Sequence, residues 1–98
     1  MSAAGTWKIA INLPFGVQDG VLAVHPAGET FAGHLASSFG GPQEISGKIQ
    51  GDTLRWSTQL TQPLPIHMEF IVTAHGDEMT GEVKAGDLAP SPLRGVRA

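Results

Sequence analysis

Residues 21–50 and 69–98 resemble each other when the chain is laid over itself at an offset of 48 with no gap. Identical residues occupy five aligned pairs: Val24 and Val72, Gly28 and Gly76, Gly33 and Gly81, Pro42 and Pro90, Gly47 and Gly95. Three of these pairs are glycines, which strands and turns require for reasons of backbone geometry. The chain is therefore predicted to contain two similar halves.

Short strands rather than helices are predicted throughout. Thirteen Gly and seven Pro interrupt the chain at short intervals, and apolar residues alternate with polar ones with a period of two. The predicted strands lie near residues 6–13, 19–25, 30–37, 43–50, 53–60, 66–74, 79–85 and 91–97. Eight strands in two four-strand halves predict an all-β fold, a small eight-stranded antiparallel up-and-down (meander) barrel that occupies residues 1–98 as a single domain.

The alternation assigns the two faces of each strand. The inward-facing set comprises Trp7, Ile9, Ile11, Leu22, Val24, Phe31, Leu35, Ile45, Ile49, Leu54, Trp56, Leu60, Met68, Phe70, Val72, Met79, Val83 and Leu93. The outward-facing set comprises Lys8, His34, Lys48, Arg55, Glu69, Glu82, Lys84 and Arg94. Gly33, Gly47, Gly81 and Gly95 fall mid-strand on the inner face. We interpret them mainly as structural residues that let a small barrel bend, and they would also leave room for a ligand.

Alternate connections of a meander barrel emerge at the same end. Connections 2–3, 4–5 and 6–7 are predicted to be tight, and connections 1–2, 3–4, 5–6 and 7–8 are predicted to be longer. The longer connections carry the apolar residues Phe15, Phe39, Leu64 and Leu88. Apolar side chains clustered at loop tips are costly in water and usually cover something. They are predicted to surround a mouth that closes over a ligand or over a second copy of the barrel.

Composition and charge restrict the classes of partner. Six Lys and Arg against nine Asp and Glu give a net charge of −3, without the basic cluster that nucleic acids and anionic membranes attract. The chain has no Cys, so neither a disulfide nor a thiolate metal site is expected. Residues 1–6 lack the basic and apolar regions of a signal peptide, and no apolar run is long enough to span a membrane. A cytoplasmic protein with no nucleic-acid or membrane partner is expected.

The two chain ends resemble the calycin pattern, which lipocalins, fatty-acid-binding proteins and avidins share. Gly5-Thr6-Trp7 opens the first predicted strand, and Arg97 ends the last. The resemblance implies that Trp7 packs against Arg97 at the tight-turn end, where a guanidinium over an indole contributes about 0.5–2 kcal/mol. This pair would close the barrel floor and leave the longer-loop end as the mouth. Residues 81–86 (Gly-Glu-Val-Lys-Ala-Gly) also resemble a segment of small uncharacterised bacterial domains, a resemblance that implies no activity.

Catalytic and metal-binding patterns are sparse. The four histidines lack the spacing of metal ligands, so no metal and no cofactor is expected. Neither a nucleophile elbow nor a phosphate loop is present. His67 and Glu69 are the candidate catalytic pair, at the predicted mouth, where a strand bulge would have to turn them inward to act as a general base. Glu44 and Asp19 are further acids near that mouth.

Interior aromatic residues are the remaining functional signal. Trp56 and Phe70 fall mid-strand on the inner face, and Thr58 supplies a hydroxyl between them and the mouth. An eight-stranded barrel is wide enough either to be filled by side chains or to hold one small ligand. The hypothesis is a protein that binds a small apolar or aromatic molecule through Phe15, Phe39, Trp56, Thr58, Leu64, His67, Phe70 and Leu88. The alternatives are a structural barrel that forms a homodimer through its apolar loop end or its wall, and a cofactor-free isomerase, cyclase or hydrolase.

Overall fold

The computed structural model describes residues 4–13, 16–37, 40–60, 66–87 and 89–98, with all their side chains except those of residues 13, 37, 40–42, 60 and 66. Eight strands run through this part of the chain: β1 Gly5–Leu13, β2 Gly16–Ala27, β3 Thr30–Ser37, β4 Gly40–Gln50, β5 Thr53–Leu60, β6 Ile66–His75, β7 Glu78–Ala85 and β8 Ser91–Arg97. Each strand pairs antiparallel with the next, and β1 also pairs with β8, which closes the sheet into a barrel. The predicted all-β meander barrel is thereby confirmed.

Two strands begin earlier than the sequence pattern predicts. β2 begins at Gly16 because its ladder with β1 continues to the pair of Leu13 and Gly16. β4 begins at Gly40 because its ladder with β3 resumes, after an irregularity, at the pair of Ser37 and Gly40. The connections from β1 to β2 and from β3 to β4 therefore have two residues each, not the longer loops expected. The connections from β5 to β6 and from β7 to β8 have five residues each.

The core lies where the alternation of side chains predicts it. Every residue of the inward-facing set whose side chain is described is buried, except Ile49, which is partly buried against the others. Ala74 and Ala85 join this core. Every residue of the outward-facing set is exposed. The interior is therefore an apolar layer inside a wall whose outer surface is charged, and its burial is the main stabilising term.

Close approach of neighbouring backbones explains three of the four inward-facing glycines. A Cβ added at Gly33 would lie 1.9 Å from the Ala23 carbonyl oxygen, and one at Gly81 would lie 2.0 Å from the Ile71 carbonyl oxygen. Gly47 is similarly crowded by its neighbouring strand. Because a Cβ cannot approach an oxygen so closely, the strands can bend at these points only where the residue is glycine.

One end of the barrel, which we call the turn end, carries two-residue turns at 28–29, 51–52 and 76–77. Trp7 is fully buried there, and the guanidinium carbon of Arg97 lies 4.4 Å from the centroid of the Trp7 ring. Arg97 also donates from Nη1 to the Ala4 carbonyl oxygen at 2.6 Å and from Nε to Asp77 Oδ1 at 3.2 Å. These contacts close the turn end, and we call the opposite end the loop end.

Candidate functional site

Three aromatic side chains form a cluster on the inner wall. Trp56 stacks on Phe70, its cross-strand partner in β6, with ring centroids 4.6 Å apart and planes 6° apart. Phe31 meets Trp56 edge-on, with centroids 5.7 Å apart and planes at 85°. Gly47, opposite Trp56 in β4, leaves room for the Phe31 ring, since a Cβ there would lie 2.9 Å from Phe31 Cε1 and 2.8 Å from Trp56 Cβ. We call Phe31, Trp56 and Phe70 the aromatic cluster.

The strands β4 and β5 separate towards the loop end. In the described part of the chain their ladder ends at the pair of Gly47 and Trp56, although both strands continue beyond it. A side-chain bond spans the gap further on, where the Thr58 hydroxyl donates to Gln43 Oε1 at 3.1 Å. We call this separation the seam. Because Trp56 belongs to the last pair of the ladder, the aromatic cluster lies at the edge of the seam.

Uncharged polar residues face inward near the loop end. The register of the strands fixes their direction, because each pairs with an inward-facing residue: Gln18 with Ile11, Gln43 with Leu35, Thr58 with Met68 and Ser91 with Val83. Ser91 is buried and the other three are half-buried. We call Gln18, Gln43, Thr58 and Ser91 the polar collar. The inner wall therefore changes from apolar to polar towards the loop end.

Charged side chains lie on the outer surface. Every Asp, Glu, Lys, Arg and His of the chain falls within the described residues, and all of them except Arg97 are exposed. Arg97 is half-buried, but its guanidinium is engaged at the turn end by Trp7, Ala4 and Asp77. A molecule placed against the aromatic cluster would therefore meet apolar and uncharged polar groups.

Three of the predicted ligand-binding residues come together in the structure. Trp56 and Phe70 are in stacked contact, and Thr58 follows Trp56 on the inner face of β5, one inward position closer to the loop end. The predicted rim residues Phe15, Phe39, Leu64 and Leu88 lie outside the described residues. An apolar mouth formed by those four residues stays a prediction.

The predicted catalytic pair lies on the outer wall. His67 Nε2 is 3.8 Å from Glu69 Oε1, and both side chains are exposed. β6 pairs in regular register with β5 and β7, so no bulge in it turns these residues inward. His67 therefore faces away from the aromatic cluster. Neither of its predicted roles, as a base or as a ligand contact, fits this position. Glu44 and Asp19 are exposed as well, and no group of three His, Asp or Glu in the described ranges could hold a metal ion.

The double variant His67→Ala/Glu69→Gln is expected to keep the wild-type stability and ligand affinity. An exposed pair at this separation contributes less than about 0.5 kcal/mol to the free energy of unfolding. Urea unfolding and a ligand titration check both expectations. The matched control is Met68→Ala, between the two on the inner face, which should cost about 2–5 kcal/mol because it opens a cavity in the core. Loss of binding in a stable double variant would contradict the outer-wall placement.

Three members of the polar collar are not among the residues that the sequence predicts to bind a ligand. Gln43 and Ser91 occupy inward positions of their predicted strands, but they are polar and the inward-facing set is apolar. Gln18 precedes the predicted start of β2 near residue 19, so the alternation in that predicted strand assigns it no face. The alternation with a period of two would place all three on the inner face if it were followed through polar as well as apolar residues.

Two open depressions lie on the outer wall rather than in the interior. One, of about 1080 Å³, crosses β7, β8, β1 and β2, and its lining includes Lys8, Val21 and Val96. The other, of about 600 Å³, crosses β4 to β7, and its lining includes Arg55 and Lys84 together with Trp56 and Phe70 of the aromatic cluster. Both are broad and solvent-facing, so neither combines enclosure with the converging polar groups that are typical of small-molecule sites.

Comparison with known proteins supports the fold. No protein-family model and no curated protein sequence matches this chain. Among solved structures, the chain is similar to the crystal structure of fatty-acid-binding protein 1 from Echinococcus granulosus, with a TM-score of 0.64 at 11% sequence identity. The likeness covers 98% of this chain and 97% of that chain. The described residues contain no helix that could cross a membrane. The chain thus shares the barrel fold of a fatty-acid-binding protein, as the calycin-like pattern at its two ends implies.

Proposed function

We propose that this protein binds one small apolar or aromatic molecule in its barrel, against the aromatic cluster and towards the loop end. The observation that carries the proposal is the position of the stacked Trp56 and Phe70 at the edge of the seam, next to the polar collar. The fold likeness to a protein named for fatty-acid binding is in keeping with this function.

The site has two features that small-ligand sites share, an apolar surface and a few polar groups beside it. Stacked indole and phenyl rings present a flat apolar surface, and a few polar groups beside it can orient a ligand. In the described residues no backbone ladder joins β4 and β5 beyond Gly47 and Trp56, so the wall could part at the seam by breaking the Thr58–Gln43 side-chain bond. The turn end, by contrast, is closed by Arg97 over Trp7. We therefore assign ligand entry to the loop end.

Native mass spectrometry of the freshly purified protein is expected to show extra mass that disappears on denaturation. The expected stoichiometry is one ligand per chain, because the interior of an eight-stranded barrel holds at most one small molecule. A denatured portion of the same preparation is the control and gives the mass of the bare chain. The mass difference supplies the formula of the ligand.

The two tryptophans localise the binding site. Trp7→Phe leaves Trp56 as the fluorescent reporter, and Trp56→Phe leaves Trp7, which is buried at the turn end. A panel of small aromatic and aliphatic compounds is expected to change the emission of the first variant and not of the second. The proposal is overturned if no compound changes either emission and no mass is lost on denaturation.

A homodimeric barrel is the second candidate, favoured by apolar residues on the outer wall. Val17, Val21 and Val96 are 61%, 44% and 52% exposed, on the strands β2 and β8 that flank β1. Lys8 of β1 pairs directly with both Val21 and Val96. Apolar surface of this kind is stabilised when two copies bury it against each other. A bare mass of two chains in the native spectrum would favour this candidate over ligand binding.

An enzymatic function has less support. Isomerase, cyclase or hydrolase chemistry in the interior would need an acid or a base there, and every acidic residue and histidine of this chain is exposed. A cytoplasmic location, with neither nucleic-acid nor membrane partners, remains a prediction from composition.

A further inference from the structure

We propose that the ligand is an uncharged molecule with a hydrogen-bond acceptor, and that the indole N–H of Trp56 binds this acceptor. The inference rests on the proposed binding function and adds the chemical class of the ligand and the group that orients it. Two features carry it: a buried donor that has no acceptor among the described residues, and an interior without charge at the aromatic cluster.

The Nε1–H group of Trp56 is buried and has no acceptor within the part of the chain that the structure describes. The side chain is 5% exposed, and its ring contacts are with the hydrocarbon rings of Phe31 and Phe70. Leaving a buried donor unpaired is unfavourable, and such groups are rare in folded proteins. A ligand oxygen that reaches this atom would form a hydrogen bond in a medium of low dielectric constant, where the bond is strong.

The charge distribution selects an uncharged acceptor over a carboxylate. A buried carboxylate needs a cation or several donors to offset its loss of water. Every Lys, Arg and His of the chain lies within the described residues, and all except Arg97 are exposed on the outer surface. They include Lys48, Arg55 and Lys84, which line the outer depression that Trp56 and Phe70 also border. Arg97, the cation that is not fully exposed, is engaged at the turn end. A single indole N–H satisfies a ketone, ester, ether or hydroxyl oxygen, whereas it cannot compensate an ionised acid.

The residues at the seam, which lead to Trp56, are also polar but uncharged. Thr58 and Gln43 span the seam through an uncharged hydrogen bond, and Thr58 lies one inward position from Trp56 on β5. A neutral polar group can exchange hydrogen bonds with them on entry, whereas an anion meets no opposite charge. The protein is therefore expected to discriminate against fatty-acid-like anions, although it shares its fold with a fatty-acid-binding protein.

Three probes of nearly equal shape test the proposal: acetophenone, α-methylstyrene and benzoate, which carry a ketone, an alkene and a carboxylate on the same ring. In ¹⁵N-labelled protein the indole groups of Trp7 and Trp56 give two N–H signals, which Trp56→Phe assigns. Acetophenone is expected to move the Trp56 proton downfield and to leave the Trp7 signal in place. Acetophenone is also expected to bind about tenfold more tightly than α-methylstyrene, and benzoate more weakly than both.

The variant Trp56→Phe keeps an aromatic ring against Phe70 and removes the donor. We expect it to bind acetophenone and α-methylstyrene with equal affinity, so that the preference for the ketone is lost. Circular dichroism checks that the variant retains the β fold. If this variant does not fold, the wild-type protein provides the test. Acetophenone should then displace the Trp56 N–H signal, and the Trp7 signal is the internal control.

The outcomes separate this inference from the binding function on which it rests. Equal affinities for acetophenone and α-methylstyrene, with no displacement of the Trp56 signal, overturn the inference but not the binding function. Tighter binding of benzoate than of the other two probes has the same meaning. If none of the probes binds, the ligand that copurifies decides: an uncharged molecule with an oxygen acceptor supports the inference, and a hydrocarbon or an acid overturns it. Absence of both probe binding and copurified mass overturns the binding function itself.

Discussion

Gly33→Ala and Gly81→Ala are each expected to lower the free energy of unfolding by about 3 kcal/mol or more. The added Cβ would lie 1.9 Å from the Ala23 carbonyl oxygen in the first and 2.0 Å from that of Ile71 in the second. Rotation of a side chain cannot relieve an overlap with backbone, so the paired strands must move apart and weaken their ladder. A domain of this size has a total stability of about 5–15 kcal/mol, so each loss is a large share of it. Urea unfolding monitored by tryptophan fluorescence measures the change.

Gly95→Ala is the matched control for these two variants. The nearest atoms to its added Cβ would be Ile9 Cγ2 at 3.0 Å and the Lys8 carbonyl oxygen at 3.3 Å, which shifts of a few tenths of an ångström relieve. All three substitutions add the same methyl group and remove the same backbone freedom, so their difference isolates the overlap. We expect a loss below about 1.5 kcal/mol here. Equal losses at all three positions would contradict the close-approach argument.

Arg97→Ala is expected to lower the free energy of unfolding by about 2–4 kcal/mol. The substitution removes the guanidinium that lies 4.4 Å from the centroid of the Trp7 ring and the 2.6 Å hydrogen bond to the Ala4 carbonyl oxygen. It also uncovers Trp7, which is fully buried at the turn end. Urea unfolding gives the free-energy change, and the emission maximum of Trp7 in the Trp56→Phe background is expected to shift to longer wavelength.

Arg94→Ala is the control with the same change of charge on the same strand. Arg94 is exposed on the outer wall, so its loss is expected to change stability by no more than about 0.5 kcal/mol. Arg97→Lys keeps the charge but not the forked donors, and an intermediate loss is expected. Asp77→Asn should have a small effect, because Asp77 is 82% exposed and its bond to Arg97 is screened. An Arg97→Ala variant as stable as Arg94→Ala would show that Arg97 does not stabilise the turn end.

The offset of 48 seen in the sequence recurs in the contacts. The Ile49 backbone N–H donates to the Glu29 carbonyl oxygen at 2.8 Å, and the Arg97 N–H donates to the Asp77 carbonyl oxygen at 2.9 Å. The two glycine contacts described above are related by the same offset. These equivalences support the proposal that the halves are structural repeats. Ile49 and Arg97 occupy equivalent positions, so the turn end carries an apolar side chain in one half and the guanidinium over Trp7 in the other.

Much of the barrel could be predicted from local patterns. The period of two assigned the faces, because successive side chains of a strand point to opposite sides, and glycine-containing turns marked the strand ends. The starts of β2 and β4 were missed because a ladder extends as far as its partner strand allows, and this depends on a residue elsewhere in the chain. His67 and Glu69 are predicted at the mouth from their position along β6. The alternation of side chains indicates that both point outward, and both are exposed in the structure.

Local patterns in the chain are enough to predict the fold class, the inner and outer face of each strand, and the exclusion of nearly all charge from the inner face. These follow from local periodicity and from the cost of burying charge. Only the folded structure shows that Trp56 stacks on Phe70 and that its N–H has no acceptor among the described residues. The same holds for the separation of β4 and β5 beside Trp56 and for the hydrogen bond from Thr58 to Gln43 across it. Such contacts depend on the register between strands and on closure of the barrel, which bring together residues whose relative positions no local pattern encodes.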